Sequence, residues 1–242
     1  MQKPKLSVAI ITFQEADRIV RCLKSVQFAD EVVVVDSGST DQTKHLALKM
    51  GVKWIEHPFH GHVSQKNLAL SHCSHDWVLC IDADEWVSPM LADGIQNWLR
   101  VNQSASGLKV IRKNLWLGRL TRFGVFGQAT ILRLVKKSKA TWDGQNPHDY
   151  LTVDGVVEES PAVLWHDPYR SFQEHIQTVD RYAAIASRSL QPSLWRLLVR
   201  PPSHFLRAYV LKLGFLDGFV GLILACLGSY YVWLKYWRSL RS

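Results

Sequence analysis

Glu31-Val-Val-Val-Val-Asp-Ser-Gly-Ser-Thr-Asp41 is the stretch that decides the fold. Four consecutive valines suit a strand buried on both faces, the central position of a parallel sheet. The run stops at Asp36 and turn-forming residues, and Asp41 to Met50 reads as a short helix closed by Gly51. Upstream, Leu6 to Phe13 reads as another buried strand, and Ala16 to Gln27 carries Ile19, Leu23 and Val26 at helical spacing. Downstream come a strand over Val52 to Glu56, a helix over Ser64 to Cys73 and a strand over Trp77 to Ile81. Ser88-Pro89 then opens a further helix, with Ser as N-cap and Pro at the first helical position. Strands alternating with helices in this order predict an α/β, doubly wound, mostly parallel sheet. Ligands of such sheets sit outside the carboxyl ends of the strands, here marked by Thr12, Asp36 and Asp82.

The pattern changes after about residue 105. Gly107 to Lys113, Ala129 to Lys136, Leu151 to Val157 and Val163 to His166 read as strands. Ser171-Phe-Gln-Glu174 is a capping box opening a helix to about Leu190. Trp116-Leu-Gly-Arg119 to Phe123-Gly-Val-Phe-Gly-Gln128 reads either as a flexible loop over an acceptor, with Arg119 and Arg122 for its phosphates, or as a hairpin with core aromatics. Leu213 to Leu234 is long enough to span a bilayer, yet Asp217 and four glycines interrupt it. An interfacial or embedded hairpin, a spanning helix and a buried helix of a soluble domain all remain open for this tail.

The formal net charge of +8 calls for an anionic partner. From Arg188 onward eight Lys/Arg face one acid, Asp217, in a stretch rich in aromatics. That mixture favours a membrane surface over a nucleic-acid groove. The four cysteines lack paired metal spacing, and the apolar run at the N-terminus is too short for a signal peptide, so a reducing cytosolic compartment is expected.

Chemistry concentrates in Asp82-Ala-Asp84-Glu85. Carboxylates two residues apart after a buried strand suit a hard divalent cation, Mg²⁺ or Mn²⁺, with positions left open for phosphate oxygens. Alone, the pattern reads more often as a solvated acidic turn than as a metal site. It gains weight from Thr12-Phe-Gln-Glu15, Val35-Asp-Ser-Gly-Ser-Thr-Asp41 and Gln65-Lys-Asn67. In this order and spacing the four motifs resemble family 2 glycosyltransferases, strongly over residues 5 to about 100 and more weakly to about 190.

The resemblance implies a GT-A, Rossmann-like fold and a nucleotide-sugar donor. It makes Thr12 and Glu15 nucleoside contacts, Asp36 the carboxylate that holds the base, Lys66 a partner of the diphosphate, and Asp82 a ribose or metal contact. Asp84 becomes a metal ligand, and His166 a second one. Gln14 stands where the family usually has Asn. Pro147-His148-Asp149 resembles the family's later acidic motif, which makes Asp149 the expected catalytic base, with Asp143 and Glu85 as alternatives.

Within the family the chain resembles bacterial lipopolysaccharide-core β-1,4-glucosyltransferases, through Phe28 to Asp41, Glu56-His-Pro58, Asp76 to Trp86 and the tail around Tyr209 to Gly214. That implies an inverting transfer from UDP-glucose to a lipid-linked saccharide at the cytoplasmic face of the inner membrane. The expected organisation is a catalytic domain over residues 1–190, divided near 105 into a donor half and an acceptor half, then a membrane-associating helical tail over 191–242. Transfer to a polyprenyl phosphate, transfer in capsule or O-antigen assembly, and a non-catalytic nucleotide-sugar-binding scaffold are the competing readings. No nucleic-acid partner is expected.

Overall fold

The computed structural model describes residues 4–101, 104–145 and 148–241. In chain order the elements are β1 (Leu6–Thr12), α1 (Ile19–Ser25), β2 (Glu31–Asp36), α2 (Thr43–Leu48), β3 (Lys53–Glu56), α3 (His62–Ser71), β4 (Trp77–Asp82), β5 (Glu85–Val87) and α4 (Pro89–Val101). There follow β6 (Gly107–Trp116), β7 (Arg119–Leu120), β8 (Ala129–Lys136), β9 (Ala140–Gln145), β10 (His148–Val153), β11 (Val157–His166), α5 (Phe172–Ser187), α6 (Leu194–Leu206) and α7 (Gly218–Ser239). The chain forms two compact units, one carrying the chain up to Arg112 together with Ala129–His166, the other Lys113–Gln128 together with the chain from Asp167 onward.

The first unit is built on a sheet of order β3-β2-β1-β4-β8-β6-β11-β5. β3, β2, β1 and β4 run parallel, with Thr12 beside Asp36 and Ile11 beside Asp82. β8 returns antiparallel to β4, and β6 antiparallel to β8. The valine run behaves as its composition requires. Val34 packs on one face with Leu6, Val8 and Ile10 of β1 and with α1 and α4, while Val33 and Val35 pack on the other with α3. The fold class is therefore the expected mixed α/β one with a mostly parallel half.

Two elements depart from the expected strands. Leu151 to Val157 is not one strand: β10 ends at Val153 and β11 begins at Val157. Gly155 turns the chain between them at φ 113°, a conformation glycine adopts freely. The partner of β10 is β9, which pairs with it antiparallel as a hairpin.

In the second unit, β7 pairs back onto the end of β6 across Leu117-Gly118, both in the left-handed region. This two-residue turn matches the twist of its strands, so residues 116–128 open with a hairpin. Its aromatics are core residues: Trp116 is buried with Val220, Leu224 and Leu227, and Phe126 packs beside them. Asn114 donates to the carbonyls of Phe126 and Gly127, and Asp217 accepts from the backbone N–H groups of Arg122 and Phe123, so the segment is tied down at its middle and near its end.

Ser171 caps α5 by accepting from Glu174 N at 3.1 Å, and the Glu174 carboxylate accepts from Arg170 N at 2.6 Å. α6 passes through a π-helical turn, Arg207–Leu211, and a short 3₁₀ turn, Gly214–Asp217, into α7. Within Gly214–Ser239 an 18-residue window reaches a mean hydropathy of 1.7, so by length and composition this stretch is long and apolar enough to cross a membrane. Val232 and Tyr236 of α7 are buried with Leu197 of α6.

Candidate active site

Two loops at the carboxyl edge of the parallel strands are stitched together. Gln14 N donates to Ser39 Oγ at 2.8 Å, Glu15 N to Thr43 Oγ1 at 2.8 Å and Ala16 N to Asp41 Oδ2 at 3.2 Å. Gln14 sits at φ 58°. That left-handed conformation suits Asn better than most residues, which gives a physical reason for an Asn at this position in the family pattern. The Asp36 side chain accepts from Gly38 N, Ser39 N and Ser39 Oγ, at 3.0, 2.8 and 2.5 Å. Both its oxygens thus shape the loop expected to receive a nucleobase. Glu15 forms a two-point pair with Arg18, at 2.6 and 2.8 Å. Thr12 is buried, and its Oγ1 has no hydrogen-bond partner among the described residues.

The Gln65-Lys66-Asn67 run of α3 works as a clamp. Gln65 donates to Ser37 Oγ and His57 O, at 2.9 and 3.0 Å. Asn67 donates to Trp142 O and accepts from Trp142 N, at 2.8 and 2.9 Å, which fixes β9 against the helix. β9 holds β10 in a register that sets Asp149 opposite Gly144. Lys66, between the two clamping residues, therefore meets Asp149 at 2.7 Å and Asp82 at 3.2 Å, with its ammonium 4.4 Å from the Trp142 ring centre. Burial alone would pull the Lys66 pKa down and Arg133 acts in the same direction, but the charges of Asp82 and Asp149 outweigh both and leave it raised. Pro147, next to this motif, lies outside the described residues.

Asp82, Asp84 and Glu85 fall into three different environments. Asp82 faces Lys66 and, at 3.6 Å, Arg133. Burial would raise its pKa, yet these two cations hold its carboxyl well below the usual range. Glu85 is fully buried, pairs with Arg133 at 2.8 Å and Arg112 at 3.6 Å, and accepts from Asp82 N at 3.1 Å. It serves as the buried counter-charge of Arg133 and Arg112. Asp143 is exposed and accepts from Gly144 N at 2.6 Å. Asp84 points elsewhere. The antiparallel register of β5 and β11 sets His166 opposite Glu85, and His166 Nε2 lies 3.5 Å from Asp84 Oδ2. Asp84 Oδ1 is buried with no hydrogen-bond partner among the described residues.

An unsatisfied buried carboxylate oxygen beside an imidazole is a donor set suited to a divalent cation. Among the described residues no cluster of three or more His, Cys, Asp or Glu is gathered to hold a metal. Asp84 and His166 supply two of the donors that such a cation would need.

Of the residues expected from sequence, Lys66, Asp82 and Asp149 converge on one point, and Asp84 and His166 on a second point next to it. Thr12, Glu15 and Asp36 line the edge formed by β1 and β2. Sequence reasoning passed over Arg133, Arg18 and Trp142. Arg133 carried a legible signal, a lone arginine inside the apolar run Ile131-Leu-Arg-Leu-Val135, which demands a buried counter-charge.

The family model for glycosyl transferase family 2 matches residues 7–138, which cover β1 through β8. The chain is 28% identical over 244 residues to the lipopolysaccharide core biosynthesis glycosyltransferase LpsC of Rhizobium meliloti, covering 96% of this chain and 90% of that protein. It is 31% identical over 240 residues to an uncharacterized glycosyltransferase of Rickettsia bellii, covering 90% and 80%. The first 349 residues of Staphylococcus aureus TarS superpose with a TM-score of 0.50 at 15% identity, covering 98% and 89%, a likeness of fold. With its family model matched over more than half its length, and with full-length glycosyltransferase relatives, this chain belongs to glycosyl transferase family 2 and is a glycosyltransferase.

Proposed function

We propose that this glycosyltransferase moves a hexose, glucose from UDP-glucose, onto a lipid-linked saccharide of the lipopolysaccharide inner core, with inversion. The observation that carries the reading is the sorting of its carboxylates. Asp82 and Asp149 share one buried ammonium, while Asp84 keeps a buried oxygen unsatisfied. Uridine is received between Thr12, Glu15 and Asp36, and Lys66 and Asp82 meet the diphosphate and ribose. Asp84 and His166 hold Mg²⁺ or Mn²⁺, which when bound offsets charge on the departing diphosphate. Asp149 takes the proton of the acceptor hydroxyl as its oxygen bonds to the anomeric carbon and the bond from that carbon to the diphosphate breaks.

A lipopolysaccharide-core acceptor is supported by the Rhizobium relative, a lipopolysaccharide core biosynthesis glycosyltransferase. The basic tail suits a phosphorylated, membrane-borne substrate. Four free cysteines, three of them buried, fit the reducing cytoplasmic side.

The test is calorimetric titration of the full chain with UDP-glucose, in Mn²⁺ and in chelator. Metal-dependent binding of UDP-glucose in preference to other nucleotide sugars is expected. Folded protein that binds no UDP-sugar in Mn²⁺ would overturn the reading.

A further inference from the structure

The outward face of α6 is apolar and exposed, although no described residue of its own unit covers it. At about 100° per residue, three rows divide the helix. Leu197, Pro201 and Ala208 of the following turn form the buried row. Trp195, Leu198, Pro202 and Leu206 form a row on the opposite side, about 16 Å long, and all four are exposed. Trp195 is 73% exposed and Leu198 71%. Beyond α6, Leu211 and Phe219 are exposed as well, at 73% and 74%. Arg196, Arg200 and Arg207 make up the third row, along one flank, and all are exposed.

From these rows we infer that α6 lies in the plane of an anionic bilayer, with its apolar row in the acyl boundary and its arginine row among the headgroups, and that α7 does not span. Charge selects the occupant. From Arg188 to the end the sole acid is Asp217, and its carboxylate is occupied by the N–H groups of Arg122 and Phe123. An apolar strip flanked by arginines, in a segment whose sole acid is engaged, matches an interfacial helix on negatively charged lipid. α7 is the more apolar helix, but it is committed to its own unit. Leu224 and Leu227 are buried with Trp116, Val232 and Tyr236 with Leu197, and Arg238 pairs with Asp180 of α5 at 2.6 Å. A span by α7 would open both clusters and carry the charged surface of α5 into hydrocarbon.

This inference deepens the proposal of a membrane-borne acceptor and rests on it, so its test uses vesicles that contain no acceptor and reads UDP-glucose binding separately. Full-length protein is floated with vesicles of phosphatidylcholine alone and of phosphatidylcholine with phosphatidylglycerol. Binding is expected to the anionic vesicles, to weaken with salt, and to be removed by an alkaline carbonate wash. Leu198→Glu is expected to lower it by about tenfold or more and Arg200→Gln by about fivefold. Both side chains are exposed, so thermal melts and UDP-glucose binding should match the parent. Three results would overturn the inference: flotation unchanged in both variants, retention through carbonate, or no vesicle binding with a self-association that Leu198→Glu abolishes, which would assign the face to a second copy. Loss of UDP-glucose binding with flotation intact would strike the donor reading alone.

Discussion

Lys66 Nζ stands 2.7 Å from Asp149 Oδ2, and the same ammonium reaches Asp82 at 3.2 Å. One buried cation thus joins a carboxylate on the β4 edge to one on the β9–β10 hairpin. If Asp149 is the base, Asp149→Asn keeps the shape and the hydrogen bond geometry but cannot take a proton. Turnover should then fall by about a thousandfold, while UDP-glucose binding persists because Lys66 and Asp82 remain. Single-turnover transfer and calorimetry measure the two quantities. An Asn variant that turns over normally would rule Asp149 out.

Asp84 offers a test that needs no acceptor. Its Oδ1 is buried and unsatisfied, a position that costs stability until a cation arrives. Asp84→Asn should therefore melt no lower than the parent in chelator. Excess Mn²⁺ at about a hundred times its dissociation constant should stabilise the parent by about 2.7 kcal/mol and leave the variant unmoved. Equal stabilisation of both would remove Asp84 from the metal site.

Glu85 separates structure from chemistry. It is fully buried against Arg133, whose own side chain is nearly so. Neutralising one partner strands the other in the interior. Glu85→Gln should lose about 3 kcal/mol in denaturant melts, whereas exposed Asp143→Asn should stay within about 0.5 kcal/mol. A Glu85→Gln protein as stable as the parent would contradict the buried-pair account.

The parallel half was legible because its signals are local. A β-branched run ending in Asp36, and Trp77 to Asp82 ending in a carboxylate pair, declare both strand and edge. The Asp82 and Asp84 motif was equally plain, but its division of labour was not. Asp84 turns to His166 through the β5–β11 pairing, and Glu85 is consumed by Arg133 and Arg112, contacts made across 48 and 27 residues of chain. The β9–β10 hairpin escaped notice for a related reason. The apolar start of β11 follows its second strand closely, with only Asp154-Gly155 between Val153 and Val156 to mark the turn. What Asn67 does for Trp142 is invisible until α3 and β9 are brought together.

His175 makes the second unit sensitive to acid. Its Nδ1 accepts from Trp116 Nε1 at 3.0 Å, and its ring stacks on Tyr169 at 3.8 Å between centroids. Burial pushes its pKa from 6.5 down to about 4. Between these values the unfolded chain binds the proton and the folded one does not, so stability rises with pH across that window and is lost as pH falls from 6.5 towards 4. Melting temperature followed over this range should fall with acidity. His175→Phe should be less stable at neutral pH, since Trp116 loses its acceptor, yet flatter across the window. An unchanged slope in the variant would assign the acid sensitivity elsewhere.

Gly221 lies where two stretches of backbone meet. A Cβ built there would overlap the Gly214 carbonyl oxygen and stand 2.8 Å from the Gly214 carbon. Gly214 is itself crowded, because a Cβ on it would stand 2.6 Å from the Ala208 carbonyl oxygen. All these neighbours are main-chain atoms, so no rotamer change can make room. The π-helical turn after α6, the 3₁₀ turn and the first turn of α7 are stacked through these two glycines. Gly221→Ala should therefore cost about 2 kcal/mol or more by overpacking, despite the better helix propensity of alanine. The loss should appear as faster limited proteolysis between residues 207 and 218, with the melt of the sheet unit less affected. Gly94→Ala is the control. It sits in α4 with nothing within 4 Å of an added Cβ, and it should be neutral or stabilising by about 0.5 kcal/mol. If Gly221→Ala behaves like Gly94→Ala, the backbone contact between Gly214 and Gly221 does not hold these turns together.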